Sequence, residues 1–220
     1  MTTKIFSINE ALYFGWATIK SNFGFFAKLS IIALPLIFVP NIIAERVLEI
    51  NTFLGIIVYI VGYVLSTLVL MGLIKIALIF YDYNKGQLKD LFSQHRLFFK
   101  YLLTYVLYAL IVLGGMFLLI IPGIIWGIKF MFFSYFIIDK KLEPIEALKQ
   151  SSAITRGTKW RLLAFLLVAG IMNMLGALLF LVGLFITIPI TMLATAFIYR
   201  KLLAQIEVAP ATQAPSETTA

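Results

Sequence analysis

Residues 118–160 of this chain read LLIIPGIIWGIKFMFFSYFIIDKKLEPIEALKQSSAITRGTKW. The stretch contains the end of one apolar run, a short turn at Pro122-Gly123, a second apolar run and a basic amphipathic segment. Apolar runs of about twenty residues match the thickness of the hydrocarbon core of a bilayer. The stretch therefore predicts a transmembrane helical hairpin followed by an amphipathic helix that lies on the membrane surface.

The composition of the whole chain extends this interpretation. Hydrophobic residues make up 62% of the 220 residues and charged residues 13%, and the mean hydropathy is +1.01. Soluble domains are only about half apolar and about a quarter charged, so lipid must cover much of this surface. The apolar runs are continuous and do not alternate with polar residues as barrel strands do. The expected fold class is all-α, a polytopic transmembrane bundle of six helices.

The six spans are predicted from the continuous apolar runs near residues 23–44, 53–80, 98–121, 124–138, 162–182 and 184–199. Residues 1–9 lack an apolar signal-peptide core, so the first span is expected to act as its own insertion signal. The expected domain organisation is a single six-span domain over residues 1–206. The polar end of the chain, residues 207–220, is expected to form a disordered tail.

Three amphipathic segments, near residues 7–19, 82–96 and 143–157, precede the three predicted hairpins. In the first, Ile8, Leu12, Trp16 and Ile19 fall on one helical face. Each segment is expected to form a surface helix, and Gly157 suits the C-terminal stop of the third.

The distribution of basic residues predicts the topology. Six spans place both termini on one side of the membrane, and about sixteen of the 18 Lys and Arg residues flank that side. Only Arg46 lies in a predicted far-side loop, residues 45–52. The positive-inside rule then predicts a multi-pass protein of the cell (inner) membrane with both termini in the cytoplasm.

An internal repeat is predicted from an offset of 60 residues, which superposes residues 87–142 on residues 147–202. Polar and turn residues match at this offset: Lys89 with Lys149, Arg96 with Arg156, and Gly123 with Gly183. We interpret the chain as three parallel repeats, each a cytoplasmic amphipathic surface helix plus a transmembrane hairpin, over residues 7–82, 85–142 and 143–202. The alternative is that any membrane hairpin with basic ends resembles any other.

Several function classes are excluded by residues that the sequence lacks. There is no cysteine and only one histidine, so no metal site and no cofactor are expected. No Walker motif and no nucleophile–base–acid set occurs, and an enzyme is not expected. The basic residues flank apolar spans, so nucleic acid is not an expected partner. The expected partner is the lipid bilayer, with anionic lipids at the cytoplasmic face; a membrane-protein partner and a homo-oligomer are left open.

Lys129 is the most unusual residue of the predicted spans, because a charge within the hydrocarbon is costly. Three interpretations are open. Its ammonium could snorkel to the headgroups, pair with Glu45 or Glu49 on the outer side, or contribute to a substrate path.

Other candidate polar residues lie in the last two spans. Asn173 is expected to make an interhelical hydrogen bond. Thr187, Thr191 and Thr195 recur every four residues and are expected to bond their own helix or line a helix contact; a hydrophilic path is the alternative. Structural turns and stops are predicted at Pro122, Gly123, Gly157, Gly183 and Pro189.

A set of short motifs in the second half of the chain carries a family resemblance. They are Ile121-Pro122-Gly123-Ile124, Asp139, Ala147-Leu148, Ser151-Ser152, Arg156-Gly157, Trp160, Pro189 and Tyr199-Arg200. With them the chain resembles a group of uncharacterised bacterial six-helix integral membrane proteins, which is similar to the membrane domain of some glycerophosphodiester phosphodiesterases and to YciC-like inner-membrane proteins. The resemblance implies the fold and topology but no catalytic residues, and phosphodiester hydrolysis is not expected.

Two functional hypotheses follow. The first and favoured one is a non-enzymatic membrane-organising, accessory or lipid-interacting protein. The second is a small transporter, channel or lipid-translocating protein with a polar path near Lys129, Asn173 and the three threonines.

Overall fold

The computed structural model describes residues 6–179 and 182–208, with side chains through residue 206. This part of the chain is helical and contains no strand. Its α-helices are α1 (Ile8–Ser21), α2 (Phe23–Ile50), α3 (Thr52–Tyr83), α4 (Phe98–Leu118), α5 (Ile120–Phe130), α6 (Phe133–Lys140), α7 (Pro144–Ile154), α8 (Lys159–Leu178) and α9 (Leu184–Val208). Of the disordered tail predicted at residues 207–220, residues 207–208 instead end α9, and residues 209–220 lie outside the described residues.

Six helical stretches are long and apolar enough to cross a membrane. They are Phe23–Ile50, Thr52–Tyr83, Leu88–Leu118, Ile120–Lys140, Lys159–Leu178 and Leu184–Ile206. The all-helical class and the six apolar spans predicted from the sequence are confirmed at this level. The individual bounds differ from the predictions in four places.

The first difference is at the tip of the first hairpin, where the predicted polar loop 45–52 is wrong. Helix α2 continues through this segment to Ile50, and the chain reverses at Asn51 alone. The side chain of Asn51 caps α3 by accepting a hydrogen bond from the backbone N–H of Leu54, 3.0 Å away. The polar residues therefore form the last turns of α2.

The second difference is the position of the turn in the second hairpin. It was predicted at Pro122-Gly123, and in the structure it lies three residues earlier, at Leu119. Leu119 is the extended residue between α4 and α5, with φ −164° and ψ 146°. Pro122 instead occupies the first turn of α5, where a missing backbone N–H costs no hydrogen bond. Gly123 allows the start of α5 to approach α4, because a Cβ there would lie 2.8 Å from the backbone N of Met116.

The third difference is a break in the fourth span, which was predicted as one continuous helix. Helix α5 ends at Phe130 and α6 begins at Phe133. No proline or glycine lies at the break. Its cause is a tertiary contact with α7, described below.

The fourth difference concerns the connector 82–96, which was predicted as an amphipathic surface helix. It forms two short 3-10 helices, Leu88–Phe92 and His95–Leu97. Leu91 is buried, and the segment packs so closely on α3 that a Cβ at Gly72 would overlap the Leu91 backbone. Close packing of backbone against α3 thus replaces the regular helix that the periodicity favours.

Helix α1 is packed into the bundle along a face that includes Ile8, Leu12 and Ile19 as predicted, but not Trp16. Its buried residues include Ala11, Gly15 and Ile19, and a Cβ at Gly15 would lie 2.6 Å from the carbonyl oxygen of Ile190 in α9. Trp16, predicted on the apolar face, is 51% exposed. Small residues therefore set the contact face, because they let α1 approach the backbone of α9.

All three hairpins close through a glycine at the start of the returning helix. A Cβ at Gly55 would lie 2.6 Å from the Cα of Leu48, and a Cβ at Gly183 would lie 2.6 Å from the Cα of Gly176. Gly123 and Met116 make the corresponding contact in the second hairpin. In each case the glycine follows its partner by seven residues.

The buried core lies away from the hairpin tips. Residues 132–138 of the fourth span are buried nearly without interruption, as is much of the second half of α9. Near the tips, large apolar side chains such as Phe53 and Phe117 are exposed. Apolar surface of this extent is typical of a protein that lipid surrounds.

Candidate functional site

The break between α5 and α6 is held by two hydroxyl groups of the α7 segment. Ser151 Oγ accepts a hydrogen bond from the backbone N–H of Phe132 (3.0 Å) and lies 3.2 Å from the carbonyl oxygen of Lys129. Thr155 Oγ1 lies 3.0 Å from the same carbonyl. Both residues are fully buried. The backbone groups that an interrupted span would leave unpaired are thus satisfied by side chains, as an apolar environment requires.

Helix α7 is therefore an internal element on this face, although the sequence predicted a surface helix. Pro144 occupies its first helical position, and Ala147, Leu148, Ser151 and Ile154 are buried. Gly157 adopts φ +85° in the turn between α7 and α8, a conformation in which glycine avoids the strain of a side chain.

A groove of about 480 Å³ lies beside the break, between α4, α5 and α7. We call it the lysine groove. Its lining residues are Leu107, Ile111, Lys129, Phe130, Ile145, Leu148, Lys149 and Ser152. Two lysines and one serine thus line a cavity whose other lining residues are apolar.

The surroundings of Lys129 do not contain the ion pair with Glu45 or Glu49 that was one of its three predicted interpretations. Its Nζ lies 4.9 Å from the ring centroid of Phe130, within cation–π range. Among the described residues it forms no ion pair with Glu45 or Glu49; both glutamates are exposed, and Glu49 lies 3.6 Å from Arg46. The predicted outer-side pair is therefore not made in this structure, because the glutamates belong to the tip of another hairpin.

The acidic residues near Lys149 are also engaged elsewhere. Glu143 pairs with Lys100 at 2.5 Å, and Glu146 accepts a hydrogen bond from Gln150 at 2.9 Å. In the part of the chain that the structure describes, no carboxylate is paired with either lysine of the groove. Neither lysine of the groove is therefore neutralised by a direct ion pair, although Glu146 keeps its charge one helical turn from Lys149 on α7.

The polar residues of the last two spans form a separate group. Asn173 Nδ2 lies 3.4 Å from Thr191 Oγ1, which is the interhelical contact expected for this asparagine. Thr191 and Thr195 donate to backbone carbonyls of their own helix, α9. Within the described residues, Asn173 Oδ1 and Thr187 Oγ1 are buried without a hydrogen-bond partner.

The structure does not bring Lys129 together with this group, because none of its four residues lines the lysine groove. Pro189 lies inside α9 and contacts a narrow gap shared with α2 and α3. A single polar path from Lys129 to the threonines is therefore not formed by the described cavities.

Sequence reasoning missed a charged junction that joins three spans. Arg200 of α9 lies 2.5 Å from Asp82 of α3 and 2.6 Å from Asp139 of α6. Tyr199 donates its hydroxyl to Asp139 at 3.1 Å. The available signal was a carboxylate at the end of each of two apolar runs and an arginine at the end of a third. The arrangement neutralises a partly buried arginine with two acids.

In residues 6–179 and 182–206, no cluster of three or more metal-ligating side chains occurs. What the site offers chemically is positive charge, hydroxyl groups and apolar walls. This combination suits an anionic amphiphile, with its acidic group on the lysines and its alkyl part along the leucine and isoleucine side chains.

A described protein family covers this part of the chain. The domain of unknown function DUF7847 matches residues 98–219, more than half of the sequence. The chain belongs to this family. The matched range includes the last four spans, the lysine groove and two members of the charged junction, Asp139 and Arg200. No curated protein and no solved structure matches the chain. The family description names no activity and does not mention phosphodiesterases or YciC-like proteins.

Proposed function

We propose that this member of the DUF7847 family is a non-enzymatic membrane protein that binds anionic lipid in the lysine groove, and acts as a membrane-organising or accessory protein. The observation that carries the proposal is the convergence of Lys129, Lys149 and Ser152 on an apolar-walled groove with no paired carboxylate. Anionic lipid supplies the missing negative charge, and its acyl chain matches the walls.

The proposal includes the orientation expected from the sequence, with both termini in the cytoplasm of a cell (inner) membrane. The supporting observation is the excess of Lys and Arg on the connectors between hairpins. In this orientation Lys149 belongs to a cytoplasmic connector. The lysine groove then meets the cytoplasmic leaflet, whose anionic lipids attract basic residues.

The threefold repeat is also part of the proposal. The common glycine contact at the three hairpin tips supports it. So do the ends of α3 and α6: each has aspartate as its second-last residue, Asp82 or Asp139, and each is followed by a residue with positive φ, Asn84 (51°) or Lys141 (54°). Repeats of this kind would explain why three separate spans end in one charged junction.

The resemblance to the membrane domain of glycerophosphodiester phosphodiesterases and to YciC-like proteins implies fold and topology, and it adds no activity to the proposal. Its motif residues Asp139, Ser151 and Arg200 make structural contacts in this chain. They hold the spans together and leave no reactive group exposed. We therefore propose no hydrolytic activity.

Native mass spectrometry of the protein released from bilayer nanodiscs tests the proposal. The wild-type chain should retain anionic phospholipid, and the Lys129→Met/Lys149→Met variant should retain about thirtyfold less, since each of the two charges near the surface contributes about 1 kcal/mol. Lys85→Met/Lys89→Met is the matched control, because both residues are exposed and lie outside the groove. Equal lipid retention by all three proteins would overturn the proposal.

The second candidate function is a transporter, channel or lipid-translocating protein. The specific observation in its favour is the pair of buried oxygens without partners, Asn173 Oδ1 and Thr187 Oγ1, since buried polar groups are normally bonded to protein or water. Reconstituted liposomes that move a fluorescent lipid or a small solute, and lose this activity in Thr187→Val, would favour it over lipid binding alone.

A further inference from the structure

The two lysines of the groove point to a more specific ligand, and this inference rests on the proposed function. Lys129 comes from α5 and Lys149 from α7, so the two cations reach the cavity from different elements. Ser152 follows Lys149 by three residues and lies beside it on α7. The polar part of the groove therefore consists of two ammonium groups and one hydroxyl donor.

Among the described residues, no carboxylate forms a direct ion pair with either lysine. Glu143 is occupied by Lys100 and Glu146 by Gln150, and Ser151, the nearest other hydroxyl, is used by the break in the fourth span. Each remaining polar side chain of the groove can donate a hydrogen bond and neither lysine can accept one, so the ligand must provide acceptors and negative charge.

We propose that the lysine groove selects a lipid whose head group carries two negative charges, as a phosphate monoester or as two linked phosphodiesters. A head group with one negative charge pairs with one lysine and leaves the other lysine without a counter-ion. A second negative charge pairs with that lysine and allows both to form charge-assisted hydrogen bonds.

The volume and lining of the groove fit such a head group together with the first part of its acyl chains. A cavity of about 480 Å³ is within the size range of small-molecule sites. Leu107 and Ile111 of α4 and Ile145 of α7 supply the apolar wall. This wall distinguishes a lipid from free phosphate, because free phosphate gains nothing from apolar contact.

Nanodiscs of matched surface charge test the inference. One set contains a mono-anionic phospholipid in a zwitterionic matrix, and two others contain half that mole fraction of phosphatidic acid or of cardiolipin. Bulk electrostatics also favours a dianionic lipid, but that preference depends on the total charge of the protein and changes equally whichever exposed lysine is removed. The proposal predicts that at least one dianionic lipid is retained about fivefold more, as expected for one further charge worth about 1 kcal/mol.

Single-residue variants test whether the preference for dianionic lipid depends on the lysine groove, and a phosphate competitor tests whether the ligand is a lipid. Lys129→Met and Lys149→Met should each abolish the preference for the dianionic lipid, whereas Lys89→Met, at the equivalent position of the proposed preceding repeat, should keep it. Inorganic phosphate at millimolar concentration should not displace the lipid; displacement would show that free phosphate is the ligand and would overturn the lipid assignment.

The failure of this inference is distinguishable from the failure of the proposed function. Equal retention of mono-anionic and dianionic lipids, both dependent on the two lysines, would overturn the selectivity and leave lipid binding intact. Lipid retention that does not depend on the two lysines would overturn both the selectivity and the proposed lipid-binding function.

Discussion

The guanidinium group of Arg200 makes two hydrogen bonds to the carboxylate of Asp139, with Nη1–Oδ2 at 2.6 Å and Nη2–Oδ1 at 2.9 Å. The same guanidinium is bonded to Asp82, so one arginine of the sixth span ties the ends of the second and fourth spans together. The side chains of Arg200 and Asp139 are only 17% and 12% exposed. Loss of the arginine would remove the ion-pair partner of both carboxylates and leave Asp139 with the hydroxyl of Tyr199.

Arg200→Ala should therefore lower the free energy of unfolding by about 2–3 kcal/mol, somewhat less than for a fully buried pair because some exposure remains. SDS-induced unfolding in mixed micelles measures the change. Arg200→Lys should fall between wild type and alanine, since lysine keeps the charge but not the planar two-pronged geometry. Arg161→Ala is the control, because this arginine is exposed. A loss for Arg161→Ala as large as that for Arg200→Ala would contradict the structural role of the junction.

Substitution of Gly123 and of Gly114 in the second hairpin by alanine should change stability in opposite directions. A Cβ at Gly123 would meet the backbone of Met116, whereas a Cβ at Gly114 would have no neighbour within 4 Å. Gly123→Ala should destabilise the protein by about 1–3 kcal/mol through overpacking. Gly114→Ala should stabilise it by about 0.5–1 kcal/mol, because alanine is the better residue inside a helix. The same unfolding assay measures both, and an equal effect of the two substitutions would show that the hairpin does not close at Gly123.

Two adjacent serines of α7 should have separable roles. Ser151→Ala removes the acceptor for the Phe132 backbone N–H and should cost about 1–3 kcal/mol of stability, because that group is buried. Ser152→Ala should leave stability nearly unchanged and weaken lipid retention, because Ser152 lines the lysine groove. Unfolding and lipid retention are measured on the same two proteins. The opposite assignment of effects would mean that α7 is rotated relative to this structure.

The sequence predicted the spans well because a hydrocarbon environment demands long apolar helices, and this signal extends over about twenty residues. It placed the turns less well. Pro122-Gly123 is turn-like by composition, yet a proline is equally suited to a first helical turn, and the reversal occurs at Leu119. Residues 45–52 resembled a loop because they are polar. The sequence does not show that their backbone groups continue the hydrogen bonds of α2 as far as Ile50.

Features that depend on contacts between distant residues could not be predicted. The break at residues 131–132 has no local proline or glycine; it exists because Ser151 and Thr155 bond its backbone. The convergence of Lys129 and Lys149 likewise depends on α7 packing against α5. Asp139 and Arg200 were recognised as motif residues, but their pairing with Asp82 follows from the relative positions of three spans.

Asn173 should contribute little to stability despite its depth in the fifth span. Its single interhelical hydrogen bond is long, at 3.4 Å, and its Oδ1 atom is buried without a partner. Asn173→Leu removes both the bond and the unpaired oxygen, so the free energy of unfolding should change by less than about 1 kcal/mol. A loss above about 2 kcal/mol would indicate that Oδ1 has a strong partner, such as an ordered water molecule.

The central claim is that six helices cross the bilayer with their cationic connectors in the cytoplasm, and cysteine accessibility in intact cells tests it most directly. The chain has no native cysteine, so single cysteines at exposed positions report without background. A membrane-impermeant maleimide should label Glu49→Cys in intact cells, and should label Lys89→Cys and Arg156→Cys only after permeabilisation. Labelling of Lys89→Cys or Arg156→Cys from the outside, with Glu49→Cys protected, would contradict the claim.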